Sequence, residues 1–190
     1  MKILANISTL TIILWLIIGG CSNRIVEVHI PQVPVNLITN GSFEIDHQAS
    51  LIGWSPDTTM GDFVNYSTDT PLGGGSFSIK LRNEWSFAGV VSQTFVPPSG
   101  THQYRLSVAS RVVRLGWNAG GNMWLYINRG DSLTMINKFH FADTVWTFNS
   151  IIDTYTINTG DTMSIILRGN IDQWSYGYIL FDMIKFEKLD

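Results

Sequence analysis

"NMWLYIN", residues Asn122 to Asn128, is the stretch whose reading decides the fold. In an extended strand successive side chains point to opposite faces, so Met123, Leu125 and Ile127 share one side while Trp124, Tyr126 and Asn128 share the other. The aliphatic side is a core face. The other side carries two large rings, which need either a cover or a contact outside the domain.

Working outward, similar runs recur at strand length: "FSIKLR" (Phe77 to Arg82), "VVSQTFV" (Val90 to Val96), "YRLSVASRVV" (Tyr104 to Val113), "VWTFNSII" (Val145 to Ile152), "MSIILRG" (Met163 to Gly169) and "YILFDMIKFEKL" (Tyr178 to Leu189). Between them stand "PLGGGS", "PPSGTH", "LGWNAGG", "NRGDS" and "NTGD", each a turn signal through Gly, Pro or Asn. No window keeps a helical period over three turns. Many short strands at this spacing predict an all-β fold, an antiparallel β-sandwich.

The chain has 190 residues, enough for one well-buried domain plus a short leader. Charged residues make up 14% and the net charge is −3, which argues against a nucleic-acid footprint. The opening "MKILANISTLTIILWLIIGGC" places Lys2 before an apolar run and then Ile18-Gly19-Gly20-Cys21. That string resembles a bacterial lipoprotein signal, whose cysteine is lipidated. Cys21 is the one cysteine in the chain, so no internal disulfide competes for its thiol. The rival reading is an ordinary secretory leader followed by an accidental cysteine. The expected organisation is a lipoprotein signal peptide over 1–20, the lipidated cysteine and a proline-bearing tether over 21–35, and one sandwich domain over 36–190. A lipid anchor implies a membrane partner and a place in the bacterial cell envelope. Ser22 lacks the acid that would retain a lipoprotein at the inner membrane, which points to the outer membrane or cell surface if the envelope is Gram-negative.

Four stretches of the domain resemble carbohydrate-binding modules of the CenC-like, cellulose- and xylan-binding group. They are "NLITNGSFEIDHQASLIGW" (Asn36 to Trp54), "GGGSFSIKLRN", "GVVSQTFVPPSGTHQYRLSVASRV" and "GYILFDMIKFEKL", in the order the group has them. The resemblance implies a galactose-binding-like jelly roll that binds polysaccharide or oligosaccharide without cleaving it. It also implies a structural calcium ion held between the opening and closing strands, with Glu44 and Asp182 as the matching acids. Hard carboxylate oxygens suit that ion. Met183 stands where the group often has a second acid or amide, and the alternative is that both acids are hydrogen-bonded strand-edge groups. Trp54 and Trp146 fall where the group has packing residues, so both are expected in the core.

From the residues themselves, Tyr104 to Val112 alternates with Leu106 and Val108 on one side and Arg105, Ser107 and Arg111 on the other. If that strand shares a sheet with Asn122 to Asn128, one outer face combines Trp124 and Tyr126 as a platform with Arg105, Arg111 and Asn128 as polar readers. A pyranose fits such a face: its C–H side buries on a ring while guanidinium and amide groups take the rim hydroxyls. Trp117, in the glycine-flanked "LGWNAGG", is a loop contact candidate, followed by Trp85, Trp174 and Tyr176. The competing account is that a loop or the tether covers Trp124 and Tyr126. The rival function is a structural or assembly lipoprotein that uses the same sandwich to bind a protein partner.

No catalytic set emerges. "GDSL", Gly130 to Leu133, carries an esterase signature that needs its serine on a strand-to-helix turn of an α/β domain. The overlapping "RGD", Arg129 to Asp131, is a tripeptide that polar turns produce by chance. His29, His47, His102 and His140 show no zinc-ligand spacing, and no carboxylate pair suggests glycoside hydrolysis. The domain is therefore expected to be non-enzymatic.

Overall fold

The computed structural model describes residues 33–85, 87–116, 118–169 and 175–190. Cys21, the leader, most of the tether, Trp117 and Trp174 lie outside the described residues.

In chain order the strands are β1 (Val35–Asn36), β2 (Glu44–Ile45), β3 (Gln48–Ala49), β4 (Ser55–Pro56), β5 (Val64–Ser67), β6 (Ser78–Trp85) and β7 (Phe87–Ala88). They continue with β8 (Val90–Phe95), β9 (Gly100–Arg114), β10 (Gly121–Arg129), β11 (Ser132–Phe141), β12 (Thr147–Ile157), β13 (Thr162–Arg168) and β14 (Ser175–Lys188). A 3₁₀ segment, Thr58–Phe63, lies between β4 and β5, with the Asp57 side chain accepting from the Thr59 N–H at its start.

The strands form two main antiparallel sheets. One has seven strands in the order β12-β9-β14-β6-β5, with β1 added beside β14 and β7 beside β6; the other has five in the order β11-β10-β13-β8-β4. The antiparallel sandwich expected from strand spacing is the observed architecture. Alternation supplies the core from both sides. Leu106, Val108, Val112, Ile179, Phe181 and Phe186 come from the seven-stranded sheet, and Val91, Met123, Leu125, Ile127, Ile165 and Leu167 from the five-stranded one, each 3% exposed or less. Such side chains leave water almost completely, and full burial contributes about 1.5–3 kcal/mol each.

Both sheets depart from the sequence reading in places. β5 was not among the expected strands, and neither was β11. Its first four residues, Ser132 to Met135, are all exposed, and its pairing with β10 slips at a bulge opposite Leu125 and Tyr126, which breaks the alternation. Trp146 is not in the core. It is half-buried, and its Nε1–H donates to Asp69 Oδ1 at 2.9 Å. Trp54 is a core residue, 5% exposed, with its ring 5.1 Å from that of Phe43.

Candidate functional site: the outer face of the five-stranded sheet

From Met123 to Asn128 of β10 burial alternates, and Asn122 before them is buried as well. Met123, Leu125 and Ile127 are buried, and Trp124, Tyr126 and Asn128 are half-buried on the opposite side. Because directly opposed residues share a face, register names the neighbours of the rings. Trp124 stands between Lys138 of β11 and Ile166 of β13, which is followed by Ser92 of β8. Tyr126 stands between Met135 and Ser164, followed by Thr94, and Asn128 between Leu133 and Thr162. The Tyr126 and Asn128 rows therefore cross from exposed β11 side chains, through a ring or amide, to short polar side chains, while the Trp124 row passes Ile166 before reaching Ser92.

The polar part is ordered by its own hydrogen bonds. Asn128 Nδ2 donates to Thr162 Oγ1 at 2.9 Å and to Ser164 Oγ at 3.2 Å, and the Ser164 and Thr94 hydroxyls lie 2.8 Å apart. Fixed hydroxyl and amide groups beside flat rings suit a ligand with an apolar face and a hydroxyl rim. At the other end of the face, the Arg168 guanidinium lies over the Trp124 ring, 5.9 Å from its centroid, and His140 Nδ1 is 3.2 Å from Asn122 Oδ1. Lys138, Arg168, Ser164, Thr94 and Thr162 were not singled out from sequence. Each sits on an alternating strand, but their convergence on the rings depends on strand order.

Arg105 and Arg111 do not join this surface. They project from β9, in the seven-stranded sheet, because the chain crosses to the opposite sheet between β9 and β10. Both are engaged there. Arg105 Nη1 is 3.8 Å from Glu187 Oε2, while Arg111 Nη1 bonds to Asp69 Oδ2 and its Nε donates to the Thr144 carbonyl. Of the other aromatic candidates, Trp85 is 59% exposed at the end of β6 with φ +55°, and Tyr176 is 39% exposed at the start of β14. The "GDSL" string lies at the β10–β11 hairpin with Ser132 opening a strand, not a helix. Arg129 of "RGD" is tied to Asp161 Oδ2 at 3.1 Å and to the Thr156 carbonyl at 2.8 Å.

No protein-family model matches the chain, and no curated protein does. Solved structures do. A family 16 carbohydrate-binding module superposes with a TM-score of 0.59 at 21% identity, over 80% of this chain and 99% of that one. A xylan-binding family 22 module from Paenibacillus barcinonensis Xyn10C gives 0.57 at 11% identity, over 85% and 99%. The fold is that of carbohydrate-binding modules. The enzymatically active domain of bacteriophage CBA120 tailspike protein 4 contains a comparable piece, with a TM-score of 0.61 at 14% identity over 80% of this chain and 21% of that one.

Within this carbohydrate-binding-module fold, Glu44 and Asp182 meet at the Gly74–Gly75 turn. A Cβ on Gly75 would collide with Glu44 Oε1, and one on Gly74 with Asp182 Oδ2. Glu44 Oε2 accepts the N–H groups of Ser76 and Phe77, at 2.6 and 3.1 Å. Asp182 is fully buried; its Oδ1 accepts the Met183 N–H at 2.6 Å and its Oδ2 has no hydrogen-bond partner. Burial, with the Glu44 carboxylate beside it, pushes the Asp182 carboxyl up to about 7 against the pull of the Met183 N–H. Met183 itself has φ +51° at a bulge in β14, and the following Ile184 N–H donates to the Gly41 carbonyl at 2.9 Å. The bulge thus joins the closing strand to the opening segment beside Asp182. Two carboxylates with an orphaned buried oxygen fit a hard cation such as calcium. No cluster of three or more His, Cys, Asp or Glu side chains exists among the described residues, so the remaining ligands would be backbone carbonyls or water.

Proposed function

We propose that the protein is a lipid-anchored lipoprotein of the bacterial cell envelope whose sandwich binds a glycan without cleaving it, on the outer face of the five-stranded sheet. The observation that carries the reading is the outward, half-buried pair Trp124 and Tyr126 beside the hydrogen-bonded strip of Asn128, Thr162, Ser164 and Thr94. Support comes from the fold shared with modules described as carbohydrate- and xylan-binding, and membership of the CenC-like, cellulose- and xylan-binding group is part of the proposal. Rings and hydroxyls suffice for holding a sugar, whereas cleavage needs a pair of acids across a cleft. Glu44 and Asp182 hold a structural calcium ion in this reading, and the Ile18-Gly19-Gly20-Cys21 string supplies the anchor. Trp117 remains a loop contact candidate.

Ligand depletion by insoluble and soluble polysaccharides tests the binding reading. Retention of the chain on at least one glycan, weakened by Trp124→Ala, is expected; no retention on any would contradict it. Cys21→Ser should move the protein from the membrane to the soluble fraction, and a variant that stays membrane-bound after a high-salt wash rules the anchor out.

One observation favours the rival reading of a protein-binding assembly lipoprotein. On β12, at the edge of the seven-stranded sheet, Phe148 is 62% and Ile152 52% exposed, next to a depression of about 300 Å³ lined by Arg105, Ser107, Ser150, Lys185 and Glu187. Failure of Trp124→Ala to change any binding, together with loss of a partner in Phe148→Ala, would favour it.

A further inference from the structure

Resting on the reading that this face binds a glycan, we propose that the glycan is acidic, with Arg168 and Lys138 taking a sugar carboxylate at the edge of the Trp124 ring. Of the other arginines of the described chain, Arg114 donates to the Ala142 carbonyl at 3.2 Å, and Arg82, Arg105, Arg111 and Arg129 each face a carboxylate. Arg168 does not. It lies over the Trp124 ring, its Nε is buried without a hydrogen-bond partner, and among the described residues it makes no ion pair. Lys138, directly across from Trp124 on β11, is exposed and likewise makes no ion pair among the described residues. A chain with 15 acidic and 12 basic residues has carboxylates to spare, so two unneutralised cations beside one outward ring mark a place for an outside anion.

Among the described residues no acid fills that place. Asp57 is the carboxylate nearest in register: its N–H donates to the Val90 carbonyl at 2.9 Å, and Val90 pairs with Arg168 across β8. Its side chain is turned to its own loop, accepting the Thr59 N–H at 3.0 Å and hydroxyl at 2.7 Å. The chemistry of a uronic acid matches what is left. Its pyranose ring presents C–H groups to an aromatic face, and its carboxylate projects at the ring edge, where a planar guanidinium offers paired N–H donors and an ammonium adds charge. The guanidinium over Trp124 is already held by the ring beneath it, so less freedom is lost when it takes the anion.

The test uses the purified chain in detergent and measures affinity for a glucuronoxylan, a polygalacturonate and an alginate, each beside its carboxyl-reduced counterpart. At least one acidic polymer should bind about ten-fold or more tightly than its reduced form, the scale of one charge-assisted hydrogen bond. That preference should shrink with added salt. Arg168→Gln and Lys138→Ala should each lower the affinity for the acidic polymer several-fold more than that for its reduced form, so that the preference shrinks. Lys138 is exposed, so its variant carries the test should Arg168→Gln fail to fold. Equal affinity for acidic and reduced forms, or a preference untouched in Lys138→Ala, overturns the proposal and leaves the glycan-binding reading standing. Absence of binding to every polymer, neutral ones included, overturns both.

Discussion

The outer faces of the two sheets are built from similar alternating strands and differ in what their polar groups do. On the seven-stranded sheet the outward arginines are paired, Arg105 with Glu187, Arg111 with Asp69 and Arg82 with Glu84, while Lys80 lies over the Tyr178 ring and Lys185 makes no ion pair among the described residues, and Leu180 and Asp182 are fully buried on that side. On the five-stranded sheet the rings of Trp124 and Tyr126 stay half-exposed, the hydroxyl strip is hydrogen-bonded within itself, and Arg168 and Lys138 make no ion pair among the described residues. On the first face each outward arginine is held by a carboxylate, and on the second the arginine over the ring has no such partner among the described residues. Exposure does not separate the faces, since Phe148 on the first is as open as any large apolar side chain on the second; the pairing of their arginines does.

The comparison can be broken by substitutions on either side of β10. The largest effect belongs to the core side. Leu125 is 1% exposed in the cluster between the sheets, and Leu125→Ala should cost roughly 2–5 kcal/mol in urea unfolding. A loss as small as that of a surface substitution would mean that the β10 register is wrong and that the rings face inward.

The next effect concerns the covered region of the seven-stranded sheet. Without a cation, folded Asp182 holds a proton up to about 7, whereas an unfolded Asp releases it near 3.8. The folded state then binds more protons across that window, so stability should fall as pH rises from about 4 to about 7. Calcium binding to Glu44 and Asp182 should reverse this by favouring both ionised carboxylates, raising the melting temperature at pH 7.5 far more than at pH 4. Melts with excess calcium and with chelator at the two pH values check it; a calcium effect of equal size at both would remove these acids from the ion's shell.

The smallest effect is expected at Arg105. Its pair with Glu187 is partly exposed and 3.8 Å long, so Arg105→Ala should change stability by no more than about 1 kcal/mol and leave glycan affinity within two-fold, about 0.4 kcal/mol. A ten-fold loss of affinity in that variant would move the binding surface to the other sheet.

How much of this was legible in the sequence follows from what alternation reports. A period of two shows which side of a strand is wet, and the seven expected strands, with the inward sets of β9 and β10, appear in the fold. It does not say which strands are neighbours. Arg105 and Arg111 were expected beside the rings because β9 precedes β10 in the chain, yet these strands lie in different sheets and β13 occupies the place beside β10. Arg168 and Ser164 therefore went unnoticed on a strand whose consecutive Ile165, Ile166 and Leu167 mark no wet side. β11 was lost for another reason: an edge strand exposed over Ser132 to Met135, with a bulge, has no clean alternation. Trp146 was placed in the core by resemblance, while its indole N–H seeks the Asp69 carboxylate at the surface.

The account rests on the outward side of "NMWLYIN", and paired measurements on Trp124→Ala and Leu125→Ala test it most directly. Each variant is unfolded in urea and assayed for retention on the glycans that the parent chain binds. Trp124→Ala should lose most of its binding, since a stacked ring contributes about 1–3 kcal/mol, while losing less stability than Leu125→Ala does. If Trp124→Ala damages the fold more than Leu125→Ala and binding per folded molecule is unchanged, the rings are packing and the face is not a binding surface.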